Sequence, residues 1–390
     1  MRVLLAFDKF RDALTAPAAC AAAADALHAR HPDWELDLCP LTDGGEGFVE
    51  ILTPAGGGTI ESVAVTGPRG HPVTAPLGLV SAARLPAAVS RFGLLPPAEP
   101  RARQKPEIDS FLAVTALAPA SGLALLPAAE RDPWLASTTG VGELFGMAAE
   151  RGATAILLGL GGSATNDLGL GALEALGFRF LDAAGAVVPR PVPAVWEKIV
   201  RIELPAALRL PPLFLACDVT NPLLGPEGAT ATFGPQKGLR PDDVSRLEMQ
   251  MARMAALLCE ASGKPHALAN TPGAGAAGGI AFGLMAGCGA RLLTGSDLVS
   301  AWLDLPARLA AADLVLTGEG RFDATSLGGK GPGALIAAAQ AAGKPVHIFA
   351  GSLGVPADAT THAITPSGMP LAEALARTAE LLEAAVGRTF

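Results

Sequence analysis

A chain of 390 residues, 50% hydrophobic and 17% charged, has material for two or three domains and a large core. Its 29 Lys and Arg against 37 Asp and Glu leave a formal net charge of −8, which argues against a general nucleic-acid or anionic-membrane surface. The cysteines (Cys20, Cys39, Cys217, Cys259 and Cys288) are scattered and form no CxxC pair, so neither a disulfide framework nor a zinc site is indicated, and a reducing cytoplasm is the expected compartment.

In chain order, VLLAF (3–7) is too short an apolar run for a secretory signal and reads as a first strand. Asp8, Lys9, Arg11 and Asp12 crowd its carboxyl end. A helix is expected over 16–30, entered through Thr15 and Pro17. The strand ELDLCP (35–40) runs into LTDGGEGF (41–48), where Asp43 and Glu46 flank Gly44 and Gly45. Two carboxylates on a Gly loop at a strand end suit Mg²⁺, although an Asp-Gly turn with a capping Glu has the same residues. Residues 59–80, with GPRGHP at their centre, predict an antiparallel hairpin. The Pro- and Arg-rich stretch 84–107 reads as a surface loop.

After the strand FLAVTAL (111–117) comes the most conspicuous motif, GLGGSATND, at the end of the strand AILLGL (155–160) and ahead of LGLGALEALG, which can carry a helix. Strand, glycine loop and helix make an anion-binding construction, with Gly161 and Gly162 opening the backbone N–H groups to a ligand. Asn166 or Asp167 as a helix cap accounts for one polar residue there, but Ser163, Thr165, Asn166 and Asp167 are four. Beyond it, FRFLDAAGAVV (178–188) suggests a second hairpin. LFLACDV (213–219) suggests a buried strand carrying Asp218. FGPQKG offers Lys237 among turns. The uncharged stretch between His266 and Arg291 is too rich in glycine for a membrane span. Asp297 in GSDLV either serves the site or caps a helix. The segment ADLVLTGEGRFDATSLGGKGPGAL (312–335) again leaves a strand into glycine and charge, with Glu319, Arg321, Asp323 and Lys330. Lys330 precedes Gly331, so this is no Walker A loop. PVHIFAG (345–351) is a last strand, with His347 as a core or edge residue.

Strands alternating with Ala-rich helical runs predict an α/β fold. Six of them (3–7, 35–40, 111–117, 155–160, 312–318 and 345–351) are expected in one Rossmann-like, doubly wound parallel sheet. The expected boundaries are 1–55, 112–176 and 285–390 for that domain, and 56–111 with 177–284 for an inserted mixed α/β domain.

The motifs DKFRDALTA, PLTDGGEG, ASGLALLP, TTGVGEL, GLGGSATND, CDVTNPLLGPEGA with FGPQKG, PGAGAAGG and DLVLTGEGRFD with GGKGP run through the whole chain, which resembles the class I glycerate kinases. The resemblance implies Mg-ATP as phosphoryl donor, D-glycerate as acceptor, phosphoglycerate (commonly the 2-phosphate) as product, and a site in the cleft between two domains. The chain departs from the family pattern at Arg11 and Asp12, at Thr325 where Gln is usual, and at Ala116 where an acid is frequent.

The expected roles follow from position at strand ends. Lys9, Asp43, Asp167, Asp297 and Arg321 are the catalytic candidates, with Asp43 and Asp297 as Mg²⁺ ligands. Gly161, Gly162, Ser163, Asn166 and Lys330 are the nucleotide or phosphate contacts, and Asp8, Gly44, Glu46, Asp218, Glu319 and Asp323 the substrate contacts. Two other readings compete. A dinucleotide oxidoreductase is suggested by Gly159, Gly161 and Ala164 in G-x-G-x-x-A with Asp182 about twenty residues on. A non-catalytic binder keeping the fold is suggested by Arg11, Asp12 and Thr325. Nucleic-acid and membrane partners are not expected; self-association is left open.

Overall fold

The computed structural model describes residues 1–94, 110–324, 326, 331–354 and 360–390. Lys330, Thr325 and most of the 84–107 loop therefore lie outside the described residues.

The described strands, in chain order, are β1 (Arg2–Phe7), β2 (Glu35–Leu38), β3 (Thr59–Thr66), β4 (Pro72–Ser81), β5 (Phe111–Ala116), β6 (Ala153–Gly159), β7 (Arg179–Leu181), β8 (Arg201–Glu203), β9 (Leu213–Cys217), β10 (Arg291–Thr294), β11 (Leu314–Phe322), β12 (Val346–Leu353) and β13 (Thr361–Ala363). The chain divides into two compact units, Met1–Asp43 with Val299–Phe390, and Gly44–Leu298. In sequence, the second is a single insertion into the first.

The first unit holds a five-stranded sheet in the order β13-β12-β11-β1-β2, and each pair in it is parallel. β1 and the opening LVL of β11 are apolar runs, as strands covered by helices are. Helix Ala16–Arg30 begins at Thr15, whose hydroxyl accepts from Ala18 N at 3.3 Å, as expected from Thr15 and Pro17. It packs against helix Thr378–Thr389, and Phe7, Leu27, Phe349 and Leu382 are buried in the core they share. Numbered within this unit alone, the strands run 2-1-3-4-5, a doubly wound order whose direction reverses between β1 and β11. Ligands of such sheets bind beyond the carboxyl ends of the strands at that reversal.

The second unit holds a six-stranded mixed sheet, β10-β9-β6-β5-β4-β3, and a small antiparallel pair, β7-β8. The hairpin expected over 59–80 is present as β3 and β4. The hairpin expected over 178–188 is present in short form, with an antiparallel bridge between Leu181 and Val187 and bonds from Val188 N to Phe180 O at 2.7 Å and Asp182 N to Ala186 O at 2.9 Å, while β7 also pairs with β8.

The fold class is α/β with a doubly wound parallel sheet and an inserted mixed unit, but the expectation of one six-stranded sheet needs correction. β5 and β6 pair with each other and with β4 and β9 in the inserted unit, not with β1. The boundaries expected at 55, 112, 176 and 285 consequently do not coincide with those of the two units.

Candidate active site

Parallel pairing of β1 with β11 sets Phe7 opposite Gly318, and Asp8 N donates to Gly318 O at 2.9 Å. Asp8 and Glu319 thus leave neighbouring strands side by side at the reversal point. They line a cavity of about 750 Å³, together with Lys9, Arg11, Asp43, Arg321 and Ser326. Lys9 Nζ donates to Asp43 Oδ1 at 3.0 Å and lies 4.0 Å from Asp8 Oδ1, while its backbone N–H donates to Asp8 Oδ1 at 2.6 Å. Arg321, largely exposed, donates from Nε to Asp323 Oδ2 at 3.1 Å.

Burial makes the carboxylates of this group unusual. Asp8 is 9% exposed. Desolvation pushes its pKa from 3.8 up to about 6, and Asp43 adds to the rise, while Lys9, the Lys9 N–H and Arg11 oppose it. Glu319 is raised as well, chiefly by burial, with a Ser326 hydrogen bond opposing and the charges of Asp8 and Asp323 reinforcing the shift. One Glu319 oxygen, Oε1, is buried and finds no hydrogen-bond partner among the described residues. A buried, unpaired carboxylate oxygen beside two exposable cations is costly for a fold and useful for a ligand site.

The GLGGSATND loop is built differently. Gly161 N donates to Gly44 O at 3.0 Å, and a Cβ on Gly161 would lie 2.4 Å from Gly45 Cα. The glycine is required because a second glycine loop packs on it, not because a ligand approaches. Gly162 carries a φ of +74°, which also favours glycine. The helix that follows, Leu170–Ala175, has only six residues, so its dipole is small.

The polar residues of this loop turn inward. Asp167 is wholly buried; its Oδ2 accepts from Thr138 N and Thr138 Oγ1, both at 2.8 Å, and from Gly171 N at 3.3 Å, while Oδ1 accepts from Gly169 N at 3.2 Å. Desolvation raises its pKa against those four hydrogen bonds. The catalytic role expected of Asp167 finds no support in these contacts, in which its oxygens join two chain segments. Ser163 bonds Ala277 O at 3.2 Å and Thr165. Asn166 donates to Thr230 Oγ1 at 3.0 Å and leaves Oδ1 without a described partner.

Beneath the loop lies Lys237, 1% exposed, donating to Thr165 O at 2.6 Å and Ser163 Oγ at 3.3 Å. Burial pulls its pKa down to about 7, with Asp167 the one charge opposing. Sequence reasoning gave Lys237 no role, although its turn FGPQKG is among the motifs that carry the family resemblance.

The remaining candidates separate. Asp218 Oδ1 accepts from Ser296 N and Oγ, both at 2.9 Å, and so holds the first turn of helix Gly295–Trp302. The capping role considered for Asp297 falls to Asp218, and Asp297 is exposed. Asp43 and Asp297, expected to share a metal, belong to different units. Gly44 and Glu46 are in the inserted unit, Gly44 buried under the Gly159–Gly161 backbone and Glu46 exposed. No group of three or more His, Cys, Asp or Glu side chains poised to hold a metal occurs among the described residues.

The dinucleotide pattern fails structurally. Gly159 and Gly161 are filled from above by Gly44 and Gly45, and Asp182 spends its carboxylate on Ala184 N and Ala186 N, both at 2.9 Å, inside a turn.

The doubly wound sheet gathers acids and cations at its reversal point, where sheets of this α/β class bind their ligands. The model of the Glycerate kinase family matches residues 3–390, and the chain belongs to that family. It is 36% identical to glycerate kinase of Bacillus subtilis (strain 168), over 98% of this chain and 95% of the relative, and 36% identical to glycerate 2-kinase of Escherichia coli (strain K12), over 90% and 86%. A crystal structure from Salmonella typhimurium LT2, assigned as glycerate kinase 2, superposes with a TM-score of 0.77 at 36% identity, covering 100% of this chain and 96% of that one. The chain is thus a kinase, a transferase of phosphoryl groups.

Proposed function

We propose that the chain transfers the γ-phosphoryl group of ATP to a hydroxyl of D-glycerate, with 2-phosphoglycerate as product. The observation that carries this reading is the gathering, at one strand-end cavity, of two cations, each held by a neighbouring acid, with a carboxylate poised near neutrality: Lys9 and Arg321 with Asp8.

Phosphoryl transfer asks the protein mainly for positioning and charge neutralisation. Lys9 and Arg321 bind the glycerate carboxylate and the transferring phosphoryl group. Asp8, with a pKa of about 6, is ionised at neutral pH yet basic enough to take the hydroxyl proton. The substrate oxygen forms its bond to the γ-phosphorus as the bond from that phosphorus to the β-phosphate oxygen breaks, and ADP leaves with that electron pair. The donor set is oxygen only, which fits Mg²⁺; Asp43 and the unpaired Oε1 of Glu319 would hold it. Bound there, Mg²⁺ supplies neutralisation of phosphate charge. Asp323 orients Arg321 through their 3.1 Å contact. The five cysteines, all unpaired, fit a reducing cytoplasm, and no helix among the described residues is long and apolar enough to cross a membrane.

Purified protein incubated with D-glycerate, ATP and Mg²⁺ should form ADP, and adding enolase alone should consume the product, since enolase acts on the 2-phosphate and not the 3-phosphate. No ADP above the glycerate-free control would refute the kinase reading, and an absorbance change with a nicotinamide cofactor would restore the oxidoreductase. Product untouched by enolase alone would move the phosphoryl group to the other hydroxyl.

A further inference from the structure

The cavity at the reversal point is much larger than a three-carbon acid needs. At about 750 Å³ it falls within the range of roughly 300–1,000 Å³ that encloses drug-sized ligands. Its walls also differ in chemistry. Asp8, Lys9 and Arg321 supply charge to the lining from the end of β1 and from β11, whereas Met369, Leu371 and Leu375, from the segment leading into and through helix Leu371–Ala376, supply an apolar part. Leu371 is 73% exposed, among the most exposed large apolar side chains described. Glycerate, with a polar group on every carbon, gains nothing from such a wall. A flat heterocycle attached to a polyphosphate matches both walls at once.

Building on the kinase reading above, we propose that the cavity of the first unit seats the nucleotide itself, its base against Met369, Leu371 and Leu375 and its phosphates over Lys9 and Arg321. Ser352, aligned with Arg321 across β11 and β12, and Thr365 also line the cavity, and their hydroxyl groups suit the ribose. This relocates the nucleotide from the GLGGSATND loop, whose Gly161 backbone is covered by Gly45 and whose Asp167 is fully engaged. The loop becomes scaffold, and the base lies where open α/β sheets place their ligands.

The test uses the full chain and a fluorescent ADP, mant-ADP. The double variant Met369→Ser/Leu371→Ser changes wall residues that are half-buried and exposed, so folding should survive. Its Kd for mant-ADP should rise about tenfold, as should KM for ATP, with KM for D-glycerate unchanged within about twofold. A second measurement needs no variant: 8-azido-ATP photolabelling of the wild type should mark the peptide spanning 365–378. Nucleotide affinity unchanged in the double variant, or label confined to peptides of 44–298, would overturn the assignment while leaving the kinase reading intact. A wild-type chain that binds no mant-ADP at millimolar concentration would overturn both.

Discussion

Replacing Asp8 by Asn should make the protein more stable and less active, and the two effects should follow pH in a defined way. Asp8 is 9% exposed, and its carboxyl pKa is raised from 3.8 to about 6 mainly by loss of water. A raised acid pKa means that the folded chain holds the proton more tightly than the unfolded chain does. The stability associated with the neutral form is complete below pH 3.8 and is lost as pH rises through about 6. At about 1.4 kcal/mol per pKa unit, the ionised carboxylate costs about 3 kcal/mol at pH 8 and about 1.6 kcal/mol at pH 5. Asn cannot ionise, yet its Oδ1 can still accept the Lys9 N–H that Asp8 holds at 2.6 Å.

Urea unfolding of wild type and Asp8→Asn at a series of pH values should therefore show the variant gaining on the wild type by about 1.4 kcal/mol between pH 5 and pH 8. Over the same window, wild-type kcat/KM should rise through a pKa near 6, and the variant should fall by about two to four orders of magnitude, the usual worth of a proton-transfer residue. A variant no more stable at pH 8 than the wild type would show that Asp8 is not a desolvated carboxylate. A stabilised variant with near-normal turnover would show that the strain serves something other than proton transfer.

Other substitutions separate scaffold from site. Lys237 has its pKa lowered from 10.5 to about 7, so its contribution to stability is full above 10.5 and lost as pH falls through about 7; the wild type should gain about 2 kcal/mol between pH 7 and 9 relative to Lys237→Met, read by urea unfolding. Gly161→Ala puts a Cβ 2.4 Å from Gly45 Cα and should cost about 1–3 kcal/mol or more in thermal unfolding, whereas Gly146→Ala, in helix Thr139–Glu150 with nothing within 4 Å, should gain about 0.5–1 kcal/mol. Asp167→Asn deprives Thr138, Gly169 and Gly171 donors of part of their acceptor and should lose about 1–3 kcal/mol, with residual turnover at low temperature if the residue is scaffold.

The strands were legible because buried parallel strands carry apolar runs, as in VLLAF of β1, AILLG of β6 and LVL of β11. Their partners were not. An apolar run carries no mark of which other run it joins, so β5 and β6 could be set beside β1 on paper although they pair with β4 and β9. Charge at strand ends was informative at Asp8, Lys9, Asp43, Glu319 and Arg321, which the structure gathers round one cavity. It could not show that at Asp218 and Asp167 the carboxylates are occupied by donors distant in sequence, Ser296 and Thr138. Gly161 was misread for the same reason, its true neighbour being Gly45.

What distinguishes the two kinds of Gly/acid loop is how far each carboxylate is already satisfied. Asp167 and Glu319 are both raised by burial, Asp167 in the loop after β6 and Glu319 between two glycines in β11. Asp167 accepts four hydrogen bonds from described donors, so a ligand could reach it only by displacing bonds that hold the loop together. Glu319 keeps a buried oxygen with no described partner and has the charges of Asp8 and Lys9 nearby. An unpaired buried acceptor costs the fold about 1–3 kcal/mol, a cost that a bound cation or a substrate hydroxyl removes. On the reading proposed above, a ligand at Glu319 and Asp8 would relieve that cost, whereas the carboxylate of Asp167 is already satisfied by the loop around it.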